Sequence, residues 1–242
     1  MLKPFASLRA RDVRVGLVVC ALAACPVVVL NARAPRAASG AFAASTWNQA
    51  SLGAIDRHVF DLALGAANCA VQSGAVAHPS TLTVIDYSKA SAEKRLWVFD
   101  LHSHALLYEE LVAHGKGSGD RFATAFSNNP ESHQSSLGLF ETTGTYSGKN
   151  GYSLRLKGLD AGFNDKALER AIVMHGAPYV SEQVAKSLGR LGRSWGCPAL
   201  RQAVAHEVID TIKGNGLVFA YYPDQKWLAS SRFVGSCLAP TT

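Results

Sequence analysis

Residues 171–200, AIVMHGAPYVSEQVAKSLGRLGRSWGCPAL, carry the clearest fold signal in the sequence. The apolar residues 172–174 precede His175 and predict a β-strand that ends at this histidine. Ser181, followed by an acidic residue, predicts a helix over SEQVAKSL, residues 181–188. A glycine-rich loop with a single cysteine, Cys197, comes next. The segment therefore predicts a strand, a helix and a loop in succession.

Cys197 is a candidate nucleophile. A thiol reacts as its thiolate and needs a base or a cation nearby, most often a histidine. His175 is the candidate base, and Gly196 allows a sharp turn in which main-chain N–H groups can stabilise an oxyanion. Ser194 is placed to hydrogen-bond within the same loop, either to the substrate or to the turn itself. Taken singly, each residue also fits an ordinary explanation: a buried cysteine, a histidine that ends a strand, and a serine that stabilises a turn.

The rest of the sequence predicts a mainly antiparallel sheet with a few helices, an α+β fold. Residues 81–88, 95–101 and 105–115 have the composition of strands and predict a meander. Residues 135–159 predict two or three more strands, with a tight hairpin turn at Lys149-Asn150-Gly151. The remaining predicted elements are one or two helices over 48–71, a helical turn at 165–170, a helix at 201–216 and a strand at 217–223.

The N-terminus has the pattern of an export signal. Basic residues precede an apolar run from Val15 to Leu30, and Ala41-Phe42-Ala43 fits a cleavage site. The run is shorter than the about 20 residues that a spanning helix prefers. Two alternatives stay open: a lipoprotein acylated at Cys25, and an uncleaved anchor that tethers the protein to the membrane. We expect an exported protein of the periplasm or cell envelope, either soluble after cleavage or tethered.

The net charge gives no indication of a nucleic-acid partner. Six basic residues and one acidic residue precede residue 44, so +5 of the formal net charge of +6 belongs to the leader. Nucleic-acid binding needs a basic face on the folded domain, and no such run follows the leader.

Three cysteines follow the leader: Cys69, Cys197 and Cys237. An odd number in an oxidising compartment leaves at least one thiol free. A bridge between Cys69 and Cys237 would leave Cys197 reduced, and two buried thiols are the alternative.

The order of these motifs resembles a known family. His175-Gly176 followed by Ser194-x-Gly196-Cys197 is similar to the active-site signature of YkuD-type L,D-transpeptidase catalytic domains, which are cell-wall enzymes. The resemblance covers about residues 81–223 and includes VAHGKGSG, FSNNPESHQSSLGLF, YSGKNGYSLRLKGL and AIVMHGAPYVSE, which are similar to the murein L,D-transpeptidase branch. It implies a catalytic domain of antiparallel sheet or β-sandwich type (81–242), which follows the predicted leader (1–43) and a linker with an N-terminal helical segment (44–80).

The resemblance also implies an activity. Cys197 would attack the bond between the third residue of a peptidoglycan stem tetrapeptide and its terminal D-alanine, and a thioester would form. An acceptor amine would then take the acyl group, with His175 transferring protons. No metal or cofactor is implied, and carbapenem β-lactams are expected to inhibit covalently.

The resemblance has two departures. The commoner branch of the family has histidine two residues before the cysteine and asparagine or arginine two residues after it, where this chain has Trp195 and Ala199. The nucleophile and the base are unaffected, but the recognition of the acceptor is expected to differ.

Six residues are candidate substrate-binding residues. Tyr179 and Trp195 flank the predicted site, and His114 and Lys116 belong to the glycine-rich HGKGSG loop, which lacks the spacing of a phosphate loop. The full set is Gly176, Tyr179, Arg193, Trp195, His114 and Lys116.

Three other functions compete with this interpretation. His102-Ser103-His104, with Asp100 and His114 nearby, would suit a zinc peptidase, but the HExxH pattern is absent and a turn is predicted there. Water in place of the acceptor amine would make the protein an L,D-carboxypeptidase or endopeptidase. A non-catalytic envelope-binding or redox-sensing domain would have an unreactive Cys197, or one that pairs reversibly with another cysteine.

Overall fold

The computed structural model describes residues 42–238 of the 242-residue chain. The predicted leader, residues 1–43, lies almost entirely outside the described residues. Within the described range, no helix combines the length and the apolar character that crossing a membrane requires.

Nine strands of the described chain form one sheet. In chain order they are β1 (Thr81–Asp86), β2 (Leu96–Asp100), β3 (Ala105–Glu110), β4 (Val112–Ala113), β5 (Gly138–Gly148), β6 (Gly151–Gly158), β7 (Val173–Ala177), β8 (Ala199–Arg201) and β9 (Gly216–Tyr221). Their spatial order is β3-β2-β1-β9-β5-β6-β7-β8-β4. Only β1 with β9 and β7 with β8 pair in parallel; the other neighbours are antiparallel. The predicted mainly antiparallel α+β fold is confirmed.

The two edges of the sheet are consecutive in the chain. β3 pairs with β2 at one edge and β4 pairs with β8 at the other, and Leu111 alone separates β3 from β4. The chain therefore passes from one edge of the sheet to the other, and the sheet nearly closes into a barrel. Closure of this kind removes the unpaired N–H and C=O groups that an open edge would expose.

Local sequence signals account for several elements. The predicted tight hairpin joins β5 to β6 at Lys149-Asn150, and Gly151, with φ of 73°, adopts the left-handed conformation that glycine favours. The meander of β1, β2 and β3 is confirmed. The Ser181 hydroxyl accepts the Val184 N–H and caps the predicted helix α2.

Five α-helices accompany the sheet in the described residues: α1 (Arg57–Gln72), α2 (Glu182–Leu188), α3 (Gln202–Ile212), α4 (Gln225–Ser230) and α5 (Gly235–Leu238). The helical segment predicted over 48–71 is a 3₁₀ turn at Gln49–Ser51 followed by α1, which Asp56 caps. The helical turn predicted at 165–170 is a series of turns that ends at Ala171.

The core lies between the sheet and the helices. Trp47, Phe60 and Phe99 form a buried cluster with edge-to-face contacts and ring centroids 5.0–5.5 Å apart. α3 buries Val208, Ile209 and other apolar residues of its inner face. A smaller cluster under α2 includes Leu111, Val180, Leu191 and Ala199.

A disulfide joins Cys69 of α1 to Cys237 of α5, with the Cα atoms 6.0 Å apart. Of the two alternatives open from the sequence, the structure has the bridge. Cys197 is the free cysteine of the described residues, and it is buried.

Replacing Cys69 and Cys237 together with serine should reduce the free energy of unfolding by about 2–4 kcal/mol, because the bridge restricts a long loop in the unfolded chain. Urea unfolding of the wild type and of the double variant measures the loss. The wild type with a reducing agent should match the double variant. Equal midpoints for the oxidised wild type and the double variant would contradict this prediction.

Candidate active site

The parallel pairing of β7 with β8 brings the predicted nucleophile and base to one region. His175 lies opposite Ala199 in this pair, and the His175 N–H donates to Pro198 O at 3.4 Å. Cys197 comes two residues before Ala199, so its thiol lies beside Val173, whose N–H donates to Sγ at 3.4 Å. Residues that are 22 positions apart in the sequence are therefore brought together at β7 and the loop that enters β8.

The loop before Cys197 is held by Ser194. Its hydroxyl donates to Cys197 O at 2.6 Å and accepts the Gly196 N–H at 3.1 Å. Its main chain pairs with the HGKGSG segment, since Ser194 N–H donates to His114 O and Lys116 N–H donates to Ser194 O. The prediction that Ser194 hydrogen-bonds within the loop is confirmed.

Gly196 could not be replaced by a larger residue in this conformation. Its φ is 120°, and an added Cβ would lie 2.9 Å from Gln134 O and 3.0 Å from Ile172 Cδ1. Its N–H donates to Ser194 Oγ at 3.1 Å, within the turn. Among the described residues, the Cys197 N–H has no hydrogen-bond acceptor, so this donor remains available.

Cys197 and His175 both line one cavity of about 340 Å³. Trp195 forms part of its rim and is 70% exposed, whereas the Cys197 side chain lies at the bottom and the residue is 9% exposed. The complete lining is Lys149, Asn150, His175, Tyr179, Arg193, Ser194, Trp195 and Cys197. The sulfur is therefore next to a cavity that a substrate can enter, although no hydrogen bond joins it to the imidazole within the described part of the chain.

The carbonyl of Gly176 orients the imidazole. His175 Nδ1 lies 3.0 Å from this oxygen. A carbonyl oxygen only accepts hydrogen bonds, so Nδ1 carries the proton and the neutral ring has its lone pair on Nε2. This tautomer leaves Nε2 able to accept a proton.

Burial favours the neutral forms of both side chains. It raises the pKa of the Cys197 thiol, although the Val173 N–H and the Arg170 guanidinium lower the same pKa in part. Burial also lowers the pKa of His175, and the hydrogen bond to Gly176 opposes this shift. The site at neutral pH is therefore a thiol and a neutral imidazole rather than a thiolate and an imidazolium.

Five of the six predicted substrate-binding residues fall into three groups. Tyr179, Arg193 and Trp195 line the cavity. Lys116 is exposed, and its ammonium lies 5.1 Å from the centre of the Trp195 ring, so it reaches the rim. Gly176 does not line the cavity but contributes the carbonyl that orients His175.

His114, the sixth predicted contact, lies inside the domain and not at the cavity. The residue is fully buried, and its Nδ1 accepts a hydrogen bond from Arg95 Nη2 at 2.8 Å. Arginine is always a donor, so the ring is neutral with Nδ1 unprotonated. His114 therefore acts with Arg95 inside the domain, behind the loop that carries Cys197.

The sequence profile of the L,D-transpeptidase catalytic domain matches residues 52–221. The chain belongs to this family. The match spans the strands, the cavity and both candidate catalytic residues of this L,D-transpeptidase-family domain. No curated protein sequence matches the chain significantly.

Several solved structures are similar to this domain at low sequence identity. The L,D-transpeptidase from Mycobacterium smegmatis is 15% identical, with 60% of this chain and 59% of that chain covered and a TM-score of 0.36. LdtMt1 in complex with imipenem is also 15% identical, with 59% of each chain covered and a TM-score of 0.36. The helical cell shape determining protein Pgp2 from Campylobacter jejuni is 13% identical, with 60% and 48% covered and a TM-score of 0.39. The chain thus spans about 59% of the length of the first two structures.

Three residues at this L,D-transpeptidase-family site were missed by sequence reasoning. Lys149 and Asn150 line the cavity from the tip of the β5–β6 hairpin. The sequence predicted the turn, but its position over the cavity depends on the pairing of β6 with β7. Arg170 lies beside the Cys197 loop, and no motif marked it.

The histidines considered as metal ligands have other surroundings. The Asp100 carboxylate accepts the N–H groups of His102 and Ser103 in the predicted turn. His104 packs against Trp47, with ring centroids 5.1 Å apart. Within residues 42–238, no three His, Cys, Asp or Glu side chains come together as a metal site.

Acid should destabilise the protein through His114. Burial, followed by the nearby Arg95, lowers the pKa of His114 to about 4. In the unfolded chain, this histidine takes up a proton near its ordinary pKa of 6.5. The free energy of unfolding therefore has its full value above pH 6.5 and decreases as the pH drops towards 4. The full effect is about 3 kcal/mol.

Urea unfolding at pH 4.5 and pH 7 measures this loss, and His114→Gln should have a smaller difference between the two values. His58→Gln, at an exposed position of α1, is the matched control. Equal pH dependence in the wild type and His114→Gln would show that His114 is not responsible.

Proposed function

We propose that this protein is an exported peptidoglycan L,D-transpeptidase in which Cys197 is the nucleophile and His175 is the general base. The observation that carries the proposal is the shared cavity, which a free cysteine and an oriented, neutral histidine both line in a domain of this family. The donor is a stem tetrapeptide, and the scissile bond joins its third residue, through the L-centre, to the terminal D-alanine.

Acylation begins from the neutral pair. The thiol proton passes to His175 Nε2 as Sγ attacks the carbonyl carbon, so the thiolate and the imidazolium form only during the attack. The Cys197 N–H stabilises the oxyanion of the tetrahedral intermediate, because it has no acceptor among the described residues. The carbon–nitrogen bond then breaks, the imidazolium returns its proton to the departing amine, and D-alanine leaves a thioester on Cys197.

Deacylation reverses these roles. An acceptor amine attacks the thioester carbonyl, His175 removes a proton from the nitrogen, and the carbon–sulfur bond breaks as the thiol is re-formed. Water in place of the amine would give hydrolysis by the same residues. Ser194 is a positioning residue in both steps, since its hydroxyl bonds hold the loop that carries the nucleophile.

The disulfide supports export. Bridges such as Cys69–Cys237 form and persist in oxidising compartments and are rare in the cytosol. The signal-like leader points to the same location, the periplasm or cell envelope. Removal of the leader would release the protein, and retention would tether it to the membrane.

Carbapenem acylation tests the nucleophile. LdtMt1 is described in complex with imipenem, and the same compound is the probe for this chain. Wild-type protein should gain the mass of one imipenem molecule, and Cys197→Ala should gain none. The acylation rate of His175→Gln should be lower by about 100-fold or more, because this variant lacks the base. Adducts on both the wild type and Cys197→Ala, or on neither, would contradict the proposed nucleophile.

Tetrapeptide-bearing muropeptides then identify the reaction. Cross-linked dimers in the product mixture are expected for a transpeptidase. Monomers that have lost D-alanine, without dimers, would assign the protein as an L,D-carboxypeptidase. Cys197→Ala is the control that must give neither product.

Trp195 is proposed to contact the acceptor. Its exposed ring lies at the rim of the cavity between Lys116 and His133, whose ring centre is 4.9 Å away. These contacts keep the indole in one orientation, which suits packing against an acceptor stem peptide. Trp195→Ala should reduce dimer formation about tenfold, the effect of losing an apolar contact of about 1.4 kcal/mol.

Imipenem acylation of Trp195→Ala should remain near the wild-type rate, since the acceptor has no part in that step. Leu188→Ala is the matched control. Leu188 is also an exposed apolar residue, but it lies on α2 and does not line the cavity. Equal losses in acylation and in dimer formation would assign Trp195 to the donor side instead.

A further inference from the structure

The Cys197 sulfur is held by the chain segment that enters β7. Sγ lies 3.7 Å from Ala171 O, to which the thiol donates, and it accepts the Val173 N–H. Ala171 has φ of 52°, a conformation that costs energy for a residue with a Cβ and that clusters at functional sites. This left-handed turn directs both main-chain groups towards the sulfur.

The two contacts respond differently when the thiol ionises. The Val173 N–H still has an acceptor, but Ala171 O loses its donor and faces a negative sulfur. A buried thiolate in this position therefore needs a positive charge nearby. The residue immediately before Ala171 is Arg170.

Arg170 is held in place entirely by neutral groups. Its guanidinium donates to Ser127 O at 2.7 Å, to Ser136 Oγ at 2.5 Å, to Gln134 O at 2.7 Å and to Ser132 Oγ at 3.2 Å. Within the described chain it forms no ion pair with a carboxylate. Its positive charge is therefore fixed in position and uncompensated.

The guanidinium also adjoins the peptide that carries the nucleophile. A Cβ built on Gly196 would lie 3.4 Å from Arg170 Nη2 and 2.9 Å from Gln134 O, which Nη2 itself contacts. Arg170 and the backbone before Cys197 thus meet at one point, on the interior side of the loop. The burial of Arg170 is partial, so water screens its charge less than at the surface.

The other ionisable groups around Cys197 are poorer sources of positive charge. His175 is neutral, since burial lowers its pKa. Arg193 is paired with Asp120, with 3.1 Å between Nη1 and the carboxylate, and Lys149 is exposed at the hairpin tip. Burial raises the pKa values of Tyr179 and Tyr87 and keeps both phenols neutral.

We propose that Arg170 is a positioning residue that supplies the fixed positive charge against which the Cys197 thiolate forms. This inference rests on the proposed role of Cys197 as the nucleophile. Arg170 does not line the cavity and acts through the sulfur, so it explains how a buried sulfur ionises without a permanently charged histidine.

Iodoacetamide alkylation of Cys197, followed by intact mass as a function of pH, tests this role without any peptidoglycan substrate. Arg170→Gln should move the midpoint of the alkylation profile to higher pH and slow the reaction at pH 7 by about tenfold, the effect of one pKa unit. Arg170→Lys should restore most of the wild-type profile, because it keeps the charge. Arg121→Gln, at an exposed position, is the control for the loss of one arginine and should match the wild type.

Ser136 provides a second measurement that leaves Arg170 in place. Ser136→Asp gives the guanidinium a carboxylate partner and should shift the profile in the same direction as Arg170→Gln. Ser136→Asn, which adds similar volume without charge, should not. If Arg170→Gln does not fold, as judged by circular dichroism, equal profiles for this pair still overturn the proposal.

A folded Arg170→Gln variant with the wild-type profile would overturn the proposal, and so would equal profiles for Ser136→Asp and Ser136→Asn. The proposed function fails in a different way. In that case the alkylation profiles of the variants shift as expected, but the wild type forms no imipenem adduct and does not convert muropeptides. The role of Arg170 would then stand, and the transpeptidase assignment would be wrong.

Discussion

The parallel pairing of β7 with β8 is the constraint on which the candidate site depends. It aligns His175 with Ala199, and this register sets the Cys197 sulfur beside the Val173 N–H. A shift of one residue would turn the side chains of β7 to the opposite face of the sheet. Helix α2 and the loop that carries Cys197 connect the two strands, because parallel strands require a long crossover. The same crossover brings Trp195 and Arg193 to the rim of the cavity.

The closure of the sheet assembles the rest of the site. Because the chain from Ala105 to Ala113 forms both edge strands of the sheet, the HGKGSG segment that follows it runs beside the loop of Cys197. Ser194 connects the two segments through its main-chain hydrogen bonds. Arg95 supports this arrangement from inside, since its guanidinium donates to Val112 O and to His114. The cavity thus rests on hydrogen bonds between segments that lie far apart in the sequence.

Burial creates a chemical conflict in this site. A sulfur with limited solvent contact is protected from unwanted reactions, but the same burial raises its pKa and lowers that of His175. A neutral pair avoids the desolvation of two charges in the resting enzyme. Charge is then needed only during the attack on the carbonyl, when the fixed Arg170 guanidinium, the Val173 N–H and the Cys197 N–H can stabilise it without reorganisation. In this account the fold provides the electrostatic environment, and the two catalytic side chains provide the proton transfer.

The amino-acid sequence by itself determined the mainly antiparallel α+β class, the hairpin at Lys149-Asn150 and the candidate pair Cys197 and His175. These follow from local properties: strand composition, glycine-dependent turns, and a motif order that spans a short part of the chain. Only the tertiary structure decided that His114 is buried against Arg95, that the hairpin tip covers the cavity, and that Arg170 lies beside the nucleophile. The physical reason is that burial, charge compensation and hydrogen-bond partners depend on contacts between residues far apart in sequence. Such contacts exist only after the sheet has closed.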